Sequence, residues 1–197
     1  MGRFFYHMID FIDFIGEVVP EYKIHVELMR PFVARKSLSR NDLLFRAGAV
    51  FKDMYYVKKG GCFMYILEGG KEIVSQFFFE GDLMCDHFSF LTKRPSNQFV
   101  KALEDTELEC LGYDDIQHLY DVVPGLDRIG RILTERICIR LMINLMSYKN
   151  DSPEVMYRKL LIQRPALSQR VPQYLIASYL SLTPVGLSKI RKRLSRS

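Results

Sequence analysis

The basic side chains of this 197-residue chain are concentrated at its C-terminal end. The net charge of +5 divides unevenly, because residues 1–154 carry a balance of −4, whereas residues 155–197 carry +9 and no acidic side chain. A basic module attached to a mildly acidic body is typical of a polyanion-binding protein, and nucleic acid is the commonest such partner. We therefore expect double-stranded DNA as a partner, the alternative being a basic tail that only aids solubility.

Residues 173–194 have the pattern of two helices joined by a tight turn. The first helix has a predicted buried face formed by Leu175, Ile176, Tyr179 and Leu180. Residues 181–182 then form the turn. Thr183 suits an N-cap, because its hydroxyl accepts a free backbone N–H, and Pro184 suits the first helical position. The pattern predicts a helix-turn-helix whose second helix ends near Leu194.

The second of these helices has a polar and basic face. Its apolar residues recur at i, i+3 and i+7 and must face inward: Leu187, Ile190 and Leu194. A recognition helix places its outward N-terminal residues against base edges, and nearby basic residues hold phosphates. The predicted DNA-binding residues are Thr183, Pro184, Val185, Ser188, Lys189, Arg191, Lys192 and Arg193. The alternative for this helix alone is an ordinary surface helix with a basic face.

These predicted contacts have different chemical roles. We expect Ser188 and Lys189 to contact bases or phosphates, and Val185 to contact a thymine methyl group. The three consecutive basic residues, Arg191, Lys192 and Arg193, are expected to neutralise the phosphate backbone.

The elements that position this helix pair begin at a break in the chain. Ser152 is a plausible N-cap and Pro153 a good first residue, which predicts a helix that ends near Gln163. A connection around Pro165–Arg170 then leads to the helix pair.

A long helix is predicted before that break, from Gly125 to Lys149. One set of apolar positions comprises Ile129, Ile132, Leu133, Ile137, Leu141, Met142, Leu145 and Met146, and a second face adds Ile139 and Ile143. A helix on a protein surface needs only one apolar stripe, so a second stripe requires a second cover. We expect the same helix of a second copy to supply it, which gives a homodimer. The alternative is a helix buried within a monomer.

Residues 35–112 have the pattern of an all-β body. Short apolar or alternating runs separated by turns are Ser37–Phe45, Met54–Val57, Cys62–Leu67, Glu72–Phe79, Phe99–Leu103 and Glu107–Gly112. Gly69 and Gly70 supply the positive φ angles of a tight hairpin turn. Upstream, residues 4–33 are predicted to be helical with breaks at Pro20 and Pro31.

Several other classes of protein are disfavoured. The four cysteines, Cys62, Cys85, Cys110 and Cys138, stand more than twenty residues apart, so we expect buried reduced thiols and no metal site. Acids within the apolar stretch Phe4–Val19 argue against a secretory signal, and prolines and polar residues within Val171–Ser188 argue against a membrane span. No catalytic motif stands out. The chain is expected to be a cytoplasmic protein without catalytic residues.

Residues 176–194 resemble the helix-turn-helix of the Crp/Fnr family of transcription regulators. The resemblance covers the chain from about Glu21 and implies an α+β fold. It implies a cyclic-nucleotide-binding-type β-roll, a jelly-roll-like double-stranded β-helix, with flanking helices in residues 1–124. A dimerisation helix at 125–150 and a DNA-binding domain at 151–197 follow. It also allows a small-molecule effector and contact with RNA polymerase.

A second stretch, Glu80 to Asp105, resembles the family's phosphate-binding cassette. Members that bind cyclic nucleotides use a Glu for the ribose hydroxyl and an Arg for the cyclic phosphate. Here Asp82 replaces that Glu, and Ser96 or Asn97 falls about where that Arg would be. The candidate effector site is Gly81, Asp82, Leu83, Arg94, Ser96 and Asn97.

Neither Ser nor Asn supplies the charge of a guanidinium, which is the natural bidentate partner of a phosphate. Cyclic AMP is therefore not expected as the effector, unless Arg94 or Lys93 substitutes, and no cofactor is assigned. The competing function is a ligand-sensing or protein-interaction module whose basic end contacts an acidic partner without specific DNA binding. A steep salt dependence of DNA binding would separate the two functions.

Overall fold

The structure is a computed structural model that describes residues 9–165 and 167–194. Residues 4–8 of the predicted N-terminal helical stretch lie outside this description. The chain forms two compact units. The first comprises Met1–Ile66 with Phe77–Ile132, and the second comprises Leu67–Gln76 with Leu133–Ser197. The domain limits at residues 124 and 150 stay predictions.

The N-terminal part of the first unit is helical, as predicted, but in short pieces. Helix α1 (Phe11–Val18) leads through a 3₁₀ turn to α2 (Lys23–Val26), and a second 3₁₀ turn follows at Glu27–Phe32. The predicted break at Pro31 is wrong, because Pro31 lies inside this second turn. The fixed φ angle of proline is compatible with a 3₁₀ backbone.

Two four-stranded sheets form the β-roll that the resemblance implied. The strands are β1 (Ala34–Leu38), β2 (Leu43–Phe45), β3 (Asp53–Lys59), β4 (Gly61–Glu68), β5 (Lys71–Phe79), β6 (Leu83–Met84), β7 (Phe99–Ala102) and β8 (Thr106–Gly112). One sheet has the order β1-β8-β3-β6 and the other β2-β7-β4-β5. The α+β fold class is therefore confirmed.

The strand predictions differ from the structure in specific places. The run Ser37–Phe45 is two strands in different sheets, because the chain turns at Asn41, whose φ is +73°. Strand β6 and two helices, α3 (His87–Thr92) and α4 (Tyr113–Val122), were not predicted. The hairpin turn is as predicted, since Gly69 and Gly70 have φ angles of +57° and +78°.

A buried carboxylate joins α1 to the roll. Glu109 is 3% exposed, and its carboxylate accepts hydrogen bonds from the Phe11 backbone N–H at 2.7 Å and from Lys58 Nζ at 3.3 Å. Beside it, Phe11 and Phe14 pack on the ring of Tyr56, with centroids 5.6 and 5.1 Å away. A carboxylate at a helix N-terminus is stabilised by the helix dipole, which fixes where α1 begins.

The second unit is built mainly of helices. It contains most of α5 (Leu126–Asn150), together with α6 (Pro153–Gln163), α7 (Leu167–Arg170), α8 (Gln173–Tyr179) and α9 (Pro184–Leu194). The predicted cap of α6 is confirmed, since the Ser152 hydroxyl accepts the Val155 N–H at 3.4 Å. No helix in residues 9–165 and 167–194 is long and apolar enough to cross a membrane.

The tip of the β4–β5 hairpin belongs to this second unit. The Ser178 hydroxyl of α8 donates to the Glu72 carbonyl at 2.8 Å and accepts the Val74 N–H at 3.0 Å. One side chain therefore bonds to two backbone groups of the hairpin.

The corner between β3 and β4 gives a stability prediction. Gly60 has a φ of +87°, and a Cβ there would lie 2.6 Å from Thr106 Oγ1 and against the Asp105 carbonyl. Gly69 also has a positive φ, but a Cβ there meets open space. We expect Gly60→Ala to cost about 2–5 kcal/mol, from backbone strain plus overpacking, and Gly69→Ala about 1 kcal/mol.

Urea denaturation measures this difference as a shift of the unfolding midpoint at constant slope. Equal midpoints for Gly60→Ala and Gly69→Ala would contradict the tight packing at this corner.

Candidate nucleic-acid interface and effector site

Helices α8 and α9 meet at the predicted turn. Ser181 has a φ of +54°, and its N–H bonds to the Ser178 carbonyl at 3.0 Å, while the Leu182 N–H reaches the Ala177 carbonyl at 2.8 Å. Ala177 is fully buried, as a close helix crossing requires. Ser181 adopts a left-handed conformation that glycine takes more easily, at a cost of roughly 1–2 kcal/mol.

The start of α9 is capped as predicted. The Thr183 hydroxyl accepts the Gly186 N–H at 3.1 Å, and the Thr183 carbonyl accepts the Leu187 N–H at 3.0 Å. Leu187 and Ile190 are 1% and 5% exposed, so the apolar face of α9 is inward. The orientation of the helix is therefore fixed by its cap and by two buried side chains.

The structure brings the predicted DNA-binding residues together on the opposite face. All eight are exposed: Thr183, Pro184, Val185, Ser188, Lys189, Arg191, Lys192 and Arg193. Val185 lies in the first turn of the helix and is 66% exposed, although contact with water does not stabilise an apolar side chain. No acidic residue lies in that first turn. This face can bind a polyanion and present small side chains to it.

Acidic residues just outside the acid-free segment reduce its charge. Glu154 contacts Arg193 at 3.2 Å and Arg158 at 3.4 Å, and Asp151 contacts Lys159 at 2.6 Å. Counting charge from residue 155 missed these pairs, because both acids precede it. Exposed ion pairs contribute only about 0–1 kcal/mol, so a phosphate can replace Glu154 as the partner of Arg193.

Apolar side chains from both predicted faces of α5 are exposed, although only one face was expected to be uncovered in a single chain, so this helix has more exposed apolar surface than predicted. Its uncovered large side chains are 46–63% exposed: Ile139, Leu141, Met142, Ile143, Leu145, Met146 and Tyr148. Buried residues of this helix are confined to its first turn, at Leu126 and Ile129. The alternative of a helix buried within a monomer is therefore wrong for the chain as described.

The cysteines divide into two classes. Burial raises the pKa of Cys62 to about 12 and that of Cys85 further, so both thiols stay protonated and unreactive. The expectation of buried thiols is wrong for Cys110, which is half-buried, and for Cys138, which is exposed on α5. Within the described residues, no group of three or more His, Cys, Asp or Glu side chains is placed to hold a metal ion.

In the candidate effector site, residues 81–83 close a turn of the roll. Gly81 has a φ of +85°, and the Asp82 carboxylate accepts the Phe79 N–H at 2.8 Å. Leu83 lies in β6, opposite Tyr56, and is 7% exposed. Asp82, predicted as the replacement for a ribose-binding Glu, thus bonds to the strand that precedes it.

The Ser96 hydroxyl is the centre of the other half of this site. Ser96 is 4% exposed, donates to the Asp86 carboxylate at 2.5 Å and accepts the Gln98 N–H at 3.0 Å. The other Asp86 oxygen caps α3 through the Phe88 N–H at 3.1 Å. A buried hydroxyl bonded to a carboxylate therefore lies about where the resemblance would put a phosphate-binding Arg.

Asp86 was missed by the sequence analysis, although an acid directly before a short apolar helix is an N-cap signal. Arg94 and Asn97 are exposed, and the Lys93 ammonium lies over the Tyr113 ring, 2.8 Å from its centroid. A carboxylate repels a cyclic phosphate, so the local charge has the wrong sign for one.

Comparisons with known proteins agree with this fold. Residues 35–122 match the family described as Cyclic nucleotide-binding domain. The chain is 29% identical over 119 residues to the Anaerobic regulatory protein of Haemophilus influenzae, which is 59% of this chain and 46% of that protein. The same identity and length hold for the Fumarate and nitrate reduction regulatory protein of Yersinia pestis, of which 47% is covered. The chain spans about half the length of these curated relatives.

A solved structure covers more of the chain. The c-di-GMP responsive global regulator CLP of Xanthomonas campestris has a TM-score of 0.65 and 17% identity, over 87% of this chain and 91% of that one. This likeness concerns the fold, and it extends beyond residues 35–122.

The negative charge of the Asp86 carboxylate, to which Ser96 is bonded, predicts that cyclic AMP and cyclic GMP bind with dissociation constants above about 1 mM. Titration calorimetry with each nucleotide should show no saturable heat. A micromolar constant that is lost in Arg94→Ala would show instead that Arg94 holds the phosphate.

Proposed function

We propose that this chain, in which residues 35–122 match the Cyclic nucleotide-binding domain family, is a transcription regulator of the Crp/Fnr type that binds DNA as a homodimer. The observation that carries the proposal is the exposed, basic face of α9, a helix that has no acidic residue of its own, is capped by Thr183 and is held by Leu187 and Ile190. We assign DNA binding to residues 151–197 and dimerisation to residues 125–150.

The reading of DNA is assigned to the N-terminal half of α9. Val185, Ser188 and Lys189 are exposed there, and this end of a recognition helix is the part that enters the major groove. Arg191, Lys192 and Arg193 lie in the last turn, where a basic side chain also interacts favourably with the helix dipole. They lie at the end of α9 opposite to the N-terminal half that is assigned to the major groove, which suits them for contact with phosphates rather than with bases.

The dimer is supported by the seven exposed apolar side chains of α5. Full burial of one such side chain stabilises an interface by about 1.5–3 kcal/mol, so covering seven half-exposed ones gives on the order of 1 kcal/mol each per chain. A second copy related by a two-fold axis has the same stripe, so the two stripes can cover each other without a different partner surface. Two α9 helices then enter successive major grooves about 34 Å apart.

The remaining parts of the proposal concern the cellular setting. We place the protein in the cytoplasm, with RNA polymerase as a further partner and with an effector other than a cyclic nucleotide. The relatives in Haemophilus influenzae and Yersinia pestis are named as regulatory proteins, which supports this setting.

One prediction of this proposal concerns the dimer. Ile139→Glu or Ile143→Glu places a charge on the exposed stripe, where burial against a second copy would leave it unpaired, and should convert micromolar dimers to monomers. Sedimentation measures the change. Leu28→Glu is the matched control, since Leu28 is also exposed, at 54%, but lies outside α5. A monomeric unsubstituted protein at micromolar concentration would contradict the dimer.

A further prediction distinguishes residues that contact bases from residues that contact phosphates. Lys189→Ala should reduce the discrimination between target and random duplexes by roughly 1–3 kcal/mol, because it removes a base contact. Lys192→Ala should weaken both equally and lower the salt slope by about one unit, because it removes one phosphate contact. A target selected from random duplexes, titrated at two salt concentrations, gives both quantities.

If no sequence is enriched and neither substitution alters affinity, the DNA-binding assignment is wrong. The chain would then be a ligand-sensing or protein-interaction module.

A further inference from the structure

A cavity of about 230 Å³ lies within the second unit. Its walls come from the last two turns of α5, from α6 and from Tyr179 at the end of α8. All of these residues belong to residues 133–197 of the second unit. The cavity therefore lies beside the first helix of the helix-turn-helix.

One part of the wall suits a flat ring. Tyr148 and Tyr179 meet edge to face, with ring centroids 6.2 Å apart and planes at 65°. Ile143, Met156 and Leu160 supply the aliphatic remainder of the wall, and Ile143 and Tyr148 also belong to the exposed apolar stripe of α5. Aromatic edges and a thioether next to branched aliphatic groups are the surroundings that an aromatic ligand prefers.

The other part of the wall offers hydrogen bonds without net charge. Asn144 and Gln163 contribute side-chain amides, which donate and accept. The Lys159 ammonium also lines the cavity, but it contacts the Asp151 carboxylate at 2.6 Å, and the Ser147 hydroxyl bonds to the same carboxylate. The hydrogen bond from Lys159 lowers the pKa of Asp151, so the pair stays ionic and self-compensating.

The volume sets the size of an occupant. An enclosed apolar cavity of about 150 Å³ holds one benzene molecule, and this pocket of about 230 Å³, whose wall residues Ile143 and Tyr148 are exposed to solvent, has room for a ring with one or two small substituents. We propose that this cavity binds a small neutral aromatic molecule with hydrogen-bonding substituents, of the size of a substituted phenol or benzamide. Its ring lies against the two tyrosines and its polar groups face Asn144 and Gln163.

Such a ligand would contact α8 through Tyr179, the last residue of that helix before the turn that leads to α9. A ligand that prefers one arrangement of these helices shifts DNA affinity by its differential affinity for the two arrangements. This consequence rests on the proposed function, whereas ligand binding itself does not.

The test uses the full chain with ¹³C-methyl-labelled methionine and 4-hydroxybenzamide as the probe. Met156 lines the cavity and Met29 lies in the first unit, so one methionine reports the site and another the background. We expect a saturable shift of the Met156 methyl signal with an unchanged Met29 signal. Benzoate and benzylamine, which carry a charge, should bind at least tenfold more weakly.

Two substitutions test the location. Gln163→Trp fills the cavity and should abolish the shift of Met156, whereas Gln117→Trp, on an exposed position of α4, should leave it unchanged. Asn144→Leu keeps the volume and removes the amide, so it should weaken the probe several-fold.

Each result bears on the proposal separately from DNA binding. No saturable shift of Met156 at millimolar probe, or an equal shift in Gln163→Trp, overturns the site. Equal affinity for the charged comparators overturns the neutral class of ligand. If the protein binds the probe but does not bind DNA in a separate titration without the probe, the proposed function is overturned and the site is left intact.

Discussion

The apolar stripe on α5 is the constraint on which the proposed assembly depends. Seven large side chains between Ile139 and Tyr148 are about half exposed in a helix of 25 residues. An uncovered surface of this kind is unfavourable in water, and a second copy of the same helix is the simplest cover. The two α9 helices can be held at a fixed spacing only if the helices that precede them are paired. The proposed recognition of DNA by α9 therefore presupposes the packing of α5.

The β-roll keeps the shape of a cyclic nucleotide-binding domain with a different charge at its centre. Ser96 is bonded to Asp86, and its backbone N–H bonds to the Ala49 carbonyl at 2.8 Å. These bonds join the segments that contain Ala49, Asp86 and Ser96. A polar network buried in this way makes these segments rigid, at the expense of the positive charge that a phosphate requires. The shape of a domain and the ligand it accepts are thus separable properties.

Local signals in the sequence were sufficient for much of the fold. The caps at Ser152 and Thr183 and the glycines at 69–70 act through neighbouring backbone atoms, and so the elements they delimit were predicted closely. Long-range pairing was not visible. The run Ser37–Phe45 divides between two sheets only because β8 and β7 lie beside its two halves. Nor does the sequence show that Ser96 bonds to Asp86, or that Glu154 reaches Arg193, since both contacts depend on the folded chain.

The bonds from Ser178 to Glu72 and Val74 have a consequence for how the chain acquires its structure. They join residues separated by 104 and 106 positions, and the compact unit that contains them is discontinuous in sequence. Contacts between distant parts of a chain form late, because the intervening loop must be closed first. During synthesis on the ribosome, the hairpin tip emerges long before the helix that it contacts. Its final environment is complete only after α8, which contains Ser178, has been made.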